Sequence, residues 1–345
     1  MIIINGRFLT QRMTGVQRFA YEICRALRQI GVNYVIVAPS DIAPDYAIDD
    51  WPVEKIGGRG SHFWEQVTLP CYMQRHHKGL PLLNLTGLSP ICYSNTVMTI
   101  HDVSYLLRPR AYAWIYTLFY RIMTPWAARR AKKIITVSQF SKHEIMRYYG
   151  IADNKITVVY NAAGKPVPAP RKKTQPYLLA VGSLMPRKNI RRLLEAYSTM
   201  PDADFDLYIA GSAETAFADA ELETYAHTKG VRWLGHVSPQ ELNTLYRNAV
   251  AYINPSLYEG FGIPLLEAMV QGCPVLASDI PVFHEVCETA ANYFNPMKSE
   301  EIQSAMRAIR HDETLRRQLI QAGQQRSRLF AWEASARTIQ QLLDA

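Results

Sequence analysis

The feature that most constrains this chain is a pattern that occurs twice: a short apolar run, a loop, and then an amphipathic helix, once at the start of each half. In the first half it is MIIING, a loop reaching Gly15, and GVQRFAYEICRAL; in the second it is YLLAVGS, LMPRKN and IRRLLEAY. Further apolar runs follow: YVIVAP, NTVMTIHD, KIITVS and KITVVYN in the first half, then DLYIAGS, VRWLGH, AVAYINPS and CPVLASD in the second. Short runs rich in β-branched residues are what strands buried on both faces of a parallel sheet require. Alternation of such strands with helices specifies an α/β fold. Between the halves, Pro166–Pro176 holds four prolines and three basic residues in eleven positions, the composition of a linker. The expected organisation is a Rossmann-like doubly wound domain over 1–165, a linker over 166–176, a second such domain over 177–329, and a closing helix over 330–345 near the interdomain region. A length of 345 residues suits two cores better than one.

Two helix starts are legible from their caps. Ser138 precedes a helical stretch through Glu144, and Ser238-Pro-Gln-Glu241 forms a capping box with proline at the first helical position. In sheets of this kind ligands bind at the carboxyl ends of strands, so the loops that leave the strands carry the chemistry.

The most informative loop is Pro255–Glu267, after the strand AVAYINPS. It puts Glu259 beside glycines and Glu267 eight residues later, with Pro264 early in the helix between them. The backbone N–H groups of Phe261, Gly262 and Ile263 lie where a helix start offers unpaired donors and a positive dipole end, which suits a diphosphate. A second loop, Gly182-Ser-Leu-Met-Pro-Arg-Lys-Asn189, leaves the strand YLLAV with Arg187 and Lys188, cations fit to neutralise a leaving diphosphate. A third, Thr99-Ile-His-Asp-Val103, ends an apolar strand with His101 and Asp102. A fourth places Gly15 where it opens the first long helix and lets backbone approach a phosphate.

Together these elements resemble the retaining glycosyltransferases of family 4, over almost the full length of the chain. The resemblance implies the GT-B architecture, with the two domains facing each other across a cleft that holds a sugar nucleotide. It implies that Glu259 hydrogen-bonds the transferred sugar, that the 261–263 amides contact phosphate, and that Glu267, with Leu266 beside it, binds the ribose. The family carries an arginine just after the glycine of the second loop; here Ser183 stands there, and Arg187 next to Lys188 supplies the charge. His101 is implied beside the reacting sugar, with Asp102 orienting it or approaching the acceptor. Gly15 then faces the diphosphate, and Arg18 one helical turn later reaches an anionic acceptor. The base falls near Gly211-Ser212 and Gly235-His236-Val237, with Gly182 and Ser183 of the second loop also lining the donor. Trp64-Glu65-Gln66 and the PRKN loop resemble the branch rich in mannosyltransferases of surface-polysaccharide assembly, which favours GDP-mannose as donor. UDP- and dTDP-sugars stay open.

No metal is expected. Asp202, Asp204 and Asp206 contain Asp-x-Asp twice, a spacing that can hold a divalent cation on a diphosphate, but they precede the strand LYIAGS where a site would need them to follow it. The five cysteines show no zinc or disulfide spacing and read as reduced thiols. No apolar run is long enough to span a bilayer and no secretory signal opens the chain, so a cytoplasmic place, at the inner face of the membrane, is expected.

Charge is divided unequally. Residues 1–165 carry 20 Lys/Arg against 10 Asp/Glu, and residues 166–345 carry 18 against 20. Such a basic half expects an anionic partner: lipid headgroups, a lipid-diphosphate-linked glycan acceptor, or nucleic acid. Arg108–Lys133 concentrates this charge with aromatics and no acid, a composition suited to an anionic membrane surface; no recognised nucleic-acid motif accompanies it. Two other classes stay open at this point. A sugar-nucleotide epimerase would need an acid and a base flanking one sugar carbon, and no such pair stands out; a non-catalytic basic binding protein would need no chemistry at all.

Overall fold

The computed structural model describes residues 1–44, 46–107, 114–166, 175–211, 225 and 227–344, without the side chains of 114–116. Arg108, Arg110, Tyr112, the side chains of Trp114 and Tyr116, linker positions 167–174 and Ser212 lie outside the described residues. The chain forms two compact units, Met1–Asn161 with Ala331–Ala345, and Ala162–Phe330.

The first unit is built on β1 Ile2–Asn5, β2 Tyr34–Ala38, β3 Val53–Lys55, β4 Leu82–Asn84, β5 Thr96–Thr99, β6 Lys133–Thr136 and β7 Ile156–Val158. Its order is β3-β2-β1-β4-β5-β6-β7, with every pairing parallel. The second unit holds β8 Tyr177–Val181, β9 Asp206–Ala210, β10 Val231–Gly235, β11 Ala251–Asn254, β12 Val275–Ser278 and β13 Asn292–Phe294. Their order is β10-β9-β8-β11-β12-β13, again parallel throughout. Both sheets are Rossmann-like and doubly wound, and helices cover them because β1, β4, β5, β11 and β12 are buried along their whole length. Strand order reverses between β1 and β4 in one sheet and between β8 and β11 in the other. Those reversals open the two crevices in which ligands can sit.

The expected strands all form. β3, β4 and β13 are additional: each is three residues long, as β7 is, but VEK, LLN and NYF lack the all-β-branched run Ile156-Thr-Val158 that marks β7. Ser138 caps the helix Gln139–Tyr149 by accepting from the Ser141 amide, and left-handed Gly150 ends it. The Ser238–Glu241 capping box opens the helix Pro239–Asn248 with both of its bonds made. The closing helix runs Trp332–Asp344 and belongs to the first unit, where it packs on the helix Gly15–Gln29. Trp332 meets Phe19, and the Ser335 hydroxyl donates to the Tyr160 carbonyl at 2.7 Å.

Candidate active site

In the second unit the β8/β11 reversal gathers charge. β8 leads through Gly182 into the turn Pro186–Lys188, and β11 leads through Pro255 to Glu259. Asn189, in a left-handed conformation, ties the two loops by donating to the carbonyls of Pro255 at 3.1 Å and Pro296 at 2.7 Å. The Leu257 amide returns a bond to the Arg187 carbonyl. Thus fixed, Arg187 Nη1 lies 2.9 Å from Glu259 Oε2, and Lys188 Nζ pairs with Oε1. The Ser256 hydroxyl lies 2.9 Å from the same Oε1. Burial opposes ionisation of Glu259, but Lys188 and Arg187 outweigh it and hold the carboxyl at about 2. Two cations on one carboxylate leave a net positive charge, which suits a polyanion.

Beside this cluster, the carboxyl ends of β8, β9 and β10 lie in adjacent register, so Gly182, Gly211 and Gly235 stand side by side. The Gly211 amide donates to the Gly235 carbonyl and the Gly182 amide to the Ala210 carbonyl. A Cβ on Gly211, whose φ is 148°, would stand 2.1 Å from the Gly182 carbonyl oxygen, so only glycine fits. Ser183 is half-buried next to it, His236 is exposed and Val237 is half-buried.

Gly262 caps the helix Ile263–Val270 with φ 102°, and a Cβ there would reach 2.7 Å from Leu265 Cδ1. Phe261 is buried against Phe330. Leu266 is fully buried, and Glu267 accepts the Tyr246 hydroxyl at 3.1 Å. Tyr246, Ser256 and Asn189 were not singled out in the sequence. The run Asn254-Pro-Ser256 is the local signal that was there to find: its asparagine accepts from the Ser256 amide at 3.2 Å and so sets the turn ahead of Glu259.

The first unit places His101 just past β5 and Gly15 as the first residue of the helix Gly15–Gln29, after Thr14. His101 Nε2 stands 3.0 Å from the Leu85 carbonyl. A carbonyl only accepts, so Nε2 carries the proton and Nδ1 keeps its lone pair. Phe19 meets the ring edge to face, at 5.0 Å. Burial lowers the pKa of His101, with the Leu85 carbonyl and Asp102 pulling the other way, so the ring is neutral at pH 7. The expectation that Asp102 orients His101 is corrected here. The ring is held by Leu85, and Asp102 Oδ1 instead takes the Ser104 amide at 2.8 Å to start the short helix Ser104–Leu107.

Asp204, ahead of β9, pairs with Arg310, and Asp206, the first residue of β9, pairs with Arg232. Among the described residues no group of three or more His, Cys, Asp or Glu is arranged to hold a metal ion.

Residues 165–326 match the family described as Glycosyl transferases group 1, and residues 13–163 match Glycosyltransferase Family 4. The O-antigen chain mannosyltransferase RfbU of Salmonella typhimurium is 34% identical over 334 residues, covering 89% of this chain and 90% of that protein. The O-antigen chain mannosyltransferase B of Escherichia coli is 30% identical over 254 residues, covering 69% and 67%. Among solved structures, WaaG, a glycosyltransferase involved in lipopolysaccharide biosynthesis, superposes with a TM-score of 0.75 at 16% identity over 99% of both chains. Anabaena Alr3699/HepE in complex with UDP superposes at 0.79 with 17% identity over 100% of both.

Proposed function

This chain belongs to the family 4 glycosyltransferases, and from that premise we propose that it transfers mannose from GDP-mannose to a glycan or lipid-linked glycan in the synthesis of an O-antigen-like surface polysaccharide. The relatives named O-antigen chain mannosyltransferases support the choice of sugar and product. The observation that carries the reading is the Arg187–Lys188–Glu259 cluster at the β8/β11 reversal. Its net positive charge suits the diphosphate that develops charge as the glycosyl bond breaks.

The proposed reaction retains anomeric configuration. The acceptor oxygen bonds to C1 on the face the diphosphate leaves, the C1–O bond to phosphate breaks, and the acceptor's proton passes to the departing phosphate oxygen. A carboxyl held at about 2 and gripped by two cations is a poor base and a poor nucleophile, so Glu259 is assigned to holding the sugar. Lys188, Arg187 and the helix start at 261–263 carry the phosphate charge, and the mechanism needs no metal. Glu267 and the Gly211 and Gly235 strand ends take the nucleoside, and His101 presents Nδ1 to a sugar hydroxyl.

We assign the membrane contact to the helix Trp114–Arg130. Leu118, Ile122 and Trp126 are 50%, 59% and 57% exposed at a four-residue spacing, so they form one apolar stripe. Exposed Arg121, Arg129 and Arg130 flank it, while Phe119 and Tyr120 pack inward. No helix among the described residues is long and apolar enough to cross a membrane. An apolar stripe edged by cations suits the surface of an anionic bilayer.

Calorimetry with GDP, UDP and dTDP in the presence of a chelator tests the reading. GDP should bind most tightly, and mannose transfer should persist without divalent ions. Preference for UDP or dTDP overturns the donor, and strict magnesium dependence overturns the metal-free mechanism.

A further inference from the structure

A second polar cluster lies at the strand reversal of the first unit, where sequence reading saw only the Trp64-Glu65-Gln66 resemblance. Asn5 ends β1, Asn84 ends β4, and Glu65 comes from the π-helical turn Trp64–Thr68. All three side chains are 1% exposed or less. Asn5 Nδ2 donates to Glu65 Oε1 at 2.8 Å and to Asn84 Oδ1, while Arg7 Nη1 donates to Glu65 Oε2 at 2.8 Å. The Arg7 amide closes the ring by donating to Asn5 Oδ1 at 3.1 Å.

This cluster has an output. Asn84 Nδ2 donates to the carbonyls of Thr86 at 3.0 Å and Gly87 at 3.3 Å, so it fixes the loop that leaves β4. Between those carbonyls and Asn84 lies Leu85, whose own carbonyl holds His101. Gln66 pins the far end of the same loop: it donates to the Ser89 carbonyl at 3.0 Å and accepts from the Ile91 amide at 3.1 Å. Burying a carboxylate, a guanidinium and two amides costs free energy unless each is satisfied, and a packed apolar group would serve stability as well or better. The cluster directs its bonds at one loop, and that loop directs one carbonyl at one imidazole nitrogen.

We propose that Glu65 and Asn84 are positioning residues for His101: they hold the 84–87 loop so that the Leu85 carbonyl fixes the Nε2–H tautomer and leaves Nδ1 as an acceptor aimed at the substrate. The proposal rests on the transferase reading for its catalytic consequence. Its structural half, the tautomer, is measurable without any substrate.

The test uses the full chain labelled with ¹⁵N-histidine. Long-range ¹H–¹⁵N spectra report which ring nitrogen carries the proton, and His101→Gln identifies the His101 signals among the nine histidines. The wild type should show a neutral ring protonated at Nε2. Asn84→Ala should give a mixture of tautomers, leave GDP affinity unchanged and lower kcat by about 10- to 100-fold, the scale set by a misplacement of about 1 Å. Glu65→Gln keeps the acceptor for Asn5 while removing the charge opposite Arg7, so it should move the same signals part of the way; it also serves if Asn84→Ala does not fold. A wild-type ring protonated at Nδ1, or variants that lose kcat only in step with their melting temperature while the tautomer stays fixed, overturns the proposal. Absence of transfer from any donor by the wild type would instead reject the transferase reading and leave the tautomer result standing.

Discussion

The two strand reversals are solved with different chemistry. At β8/β11 three charged side chains meet within one short span of loops, partly open to solvent. At β1/β4 a buried ring of amides and one ion pair stands behind a neutral histidine. The difference matches what each side would have to do. Stabilising a developing diphosphate needs fixed positive charge, whereas lining a carbon that becomes cationic excludes a protonated imidazole and asks for a lone pair. On the proposed reading, one site works by charge and the other by orientation.

The comparison breaks most sharply at Lys188. Lys188→Ala should lower kcat/KM by about 10²- to 10³-fold, the size of effect seen when one preorganised donor to a developing anion is removed. Steady-state transfer from GDP-mannose measures it. A loss confined to KM would mean that Lys188 binds ground and transition states alike, and the charge-based account of this reversal would fail.

A smaller effect is expected from the surface stripe. Replacing Leu118, Ile122 and Trp126 with serine should reduce co-flotation with vesicles of mixed neutral and anionic phospholipid by about tenfold or more, since each loses apolar area available to the bilayer. Stability should change by no more than about 0.5 kcal/mol per site, because all three are exposed in the folded protein. Unchanged flotation would remove the membrane contact from this helix.

How legible each reversal is in the sequence follows from the same contrast. Arg187, Lys188, Glu259 and Glu267 fall within two short runs punctuated by glycine and proline, and charged residues in such runs are conspicuous. The network behind His101 is assembled from positions 5, 7, 65, 84 and 101, brought together only by the order of β1, β4 and β5. Asn84 ends a three-residue strand, and Glu65 sits in a π-helical turn whose sequence looks like ordinary helix. The sheets themselves were legible because parallel strands buried on both faces must be apolar throughout. β3, β4 and β13 escaped because three residues carry no period and theirs are not all β-branched, as those of the equally short β7 are.

The smallest predicted effects set the two reversals apart by pH. Glu259 is held at about 2 against an ordinary value of 4.5, so the folded state binds fewer protons than the unfolded chain between those values. Stability from this group is therefore present above about 4.5 and is lost as the pH falls toward 2. His101 is a base whose pKa burial lowers from 6.5, so the unfolded chain takes up a proton that the folded ring refuses as the pH falls below 6.5. Its loss begins at the higher pH, below 6.5 rather than below 4.5. Thermal melts across pH should show Glu259→Gln less stable than wild type at neutral pH, because two partly buried cations lose their carboxylate, with the gap closing between about 4.5 and 2. His101→Gln should instead flatten the decline that starts near 6.5 and leave the lower window in place. If both variants altered the same window, the two reversals would be coupled through charge, and orientation alone would no longer describe the first.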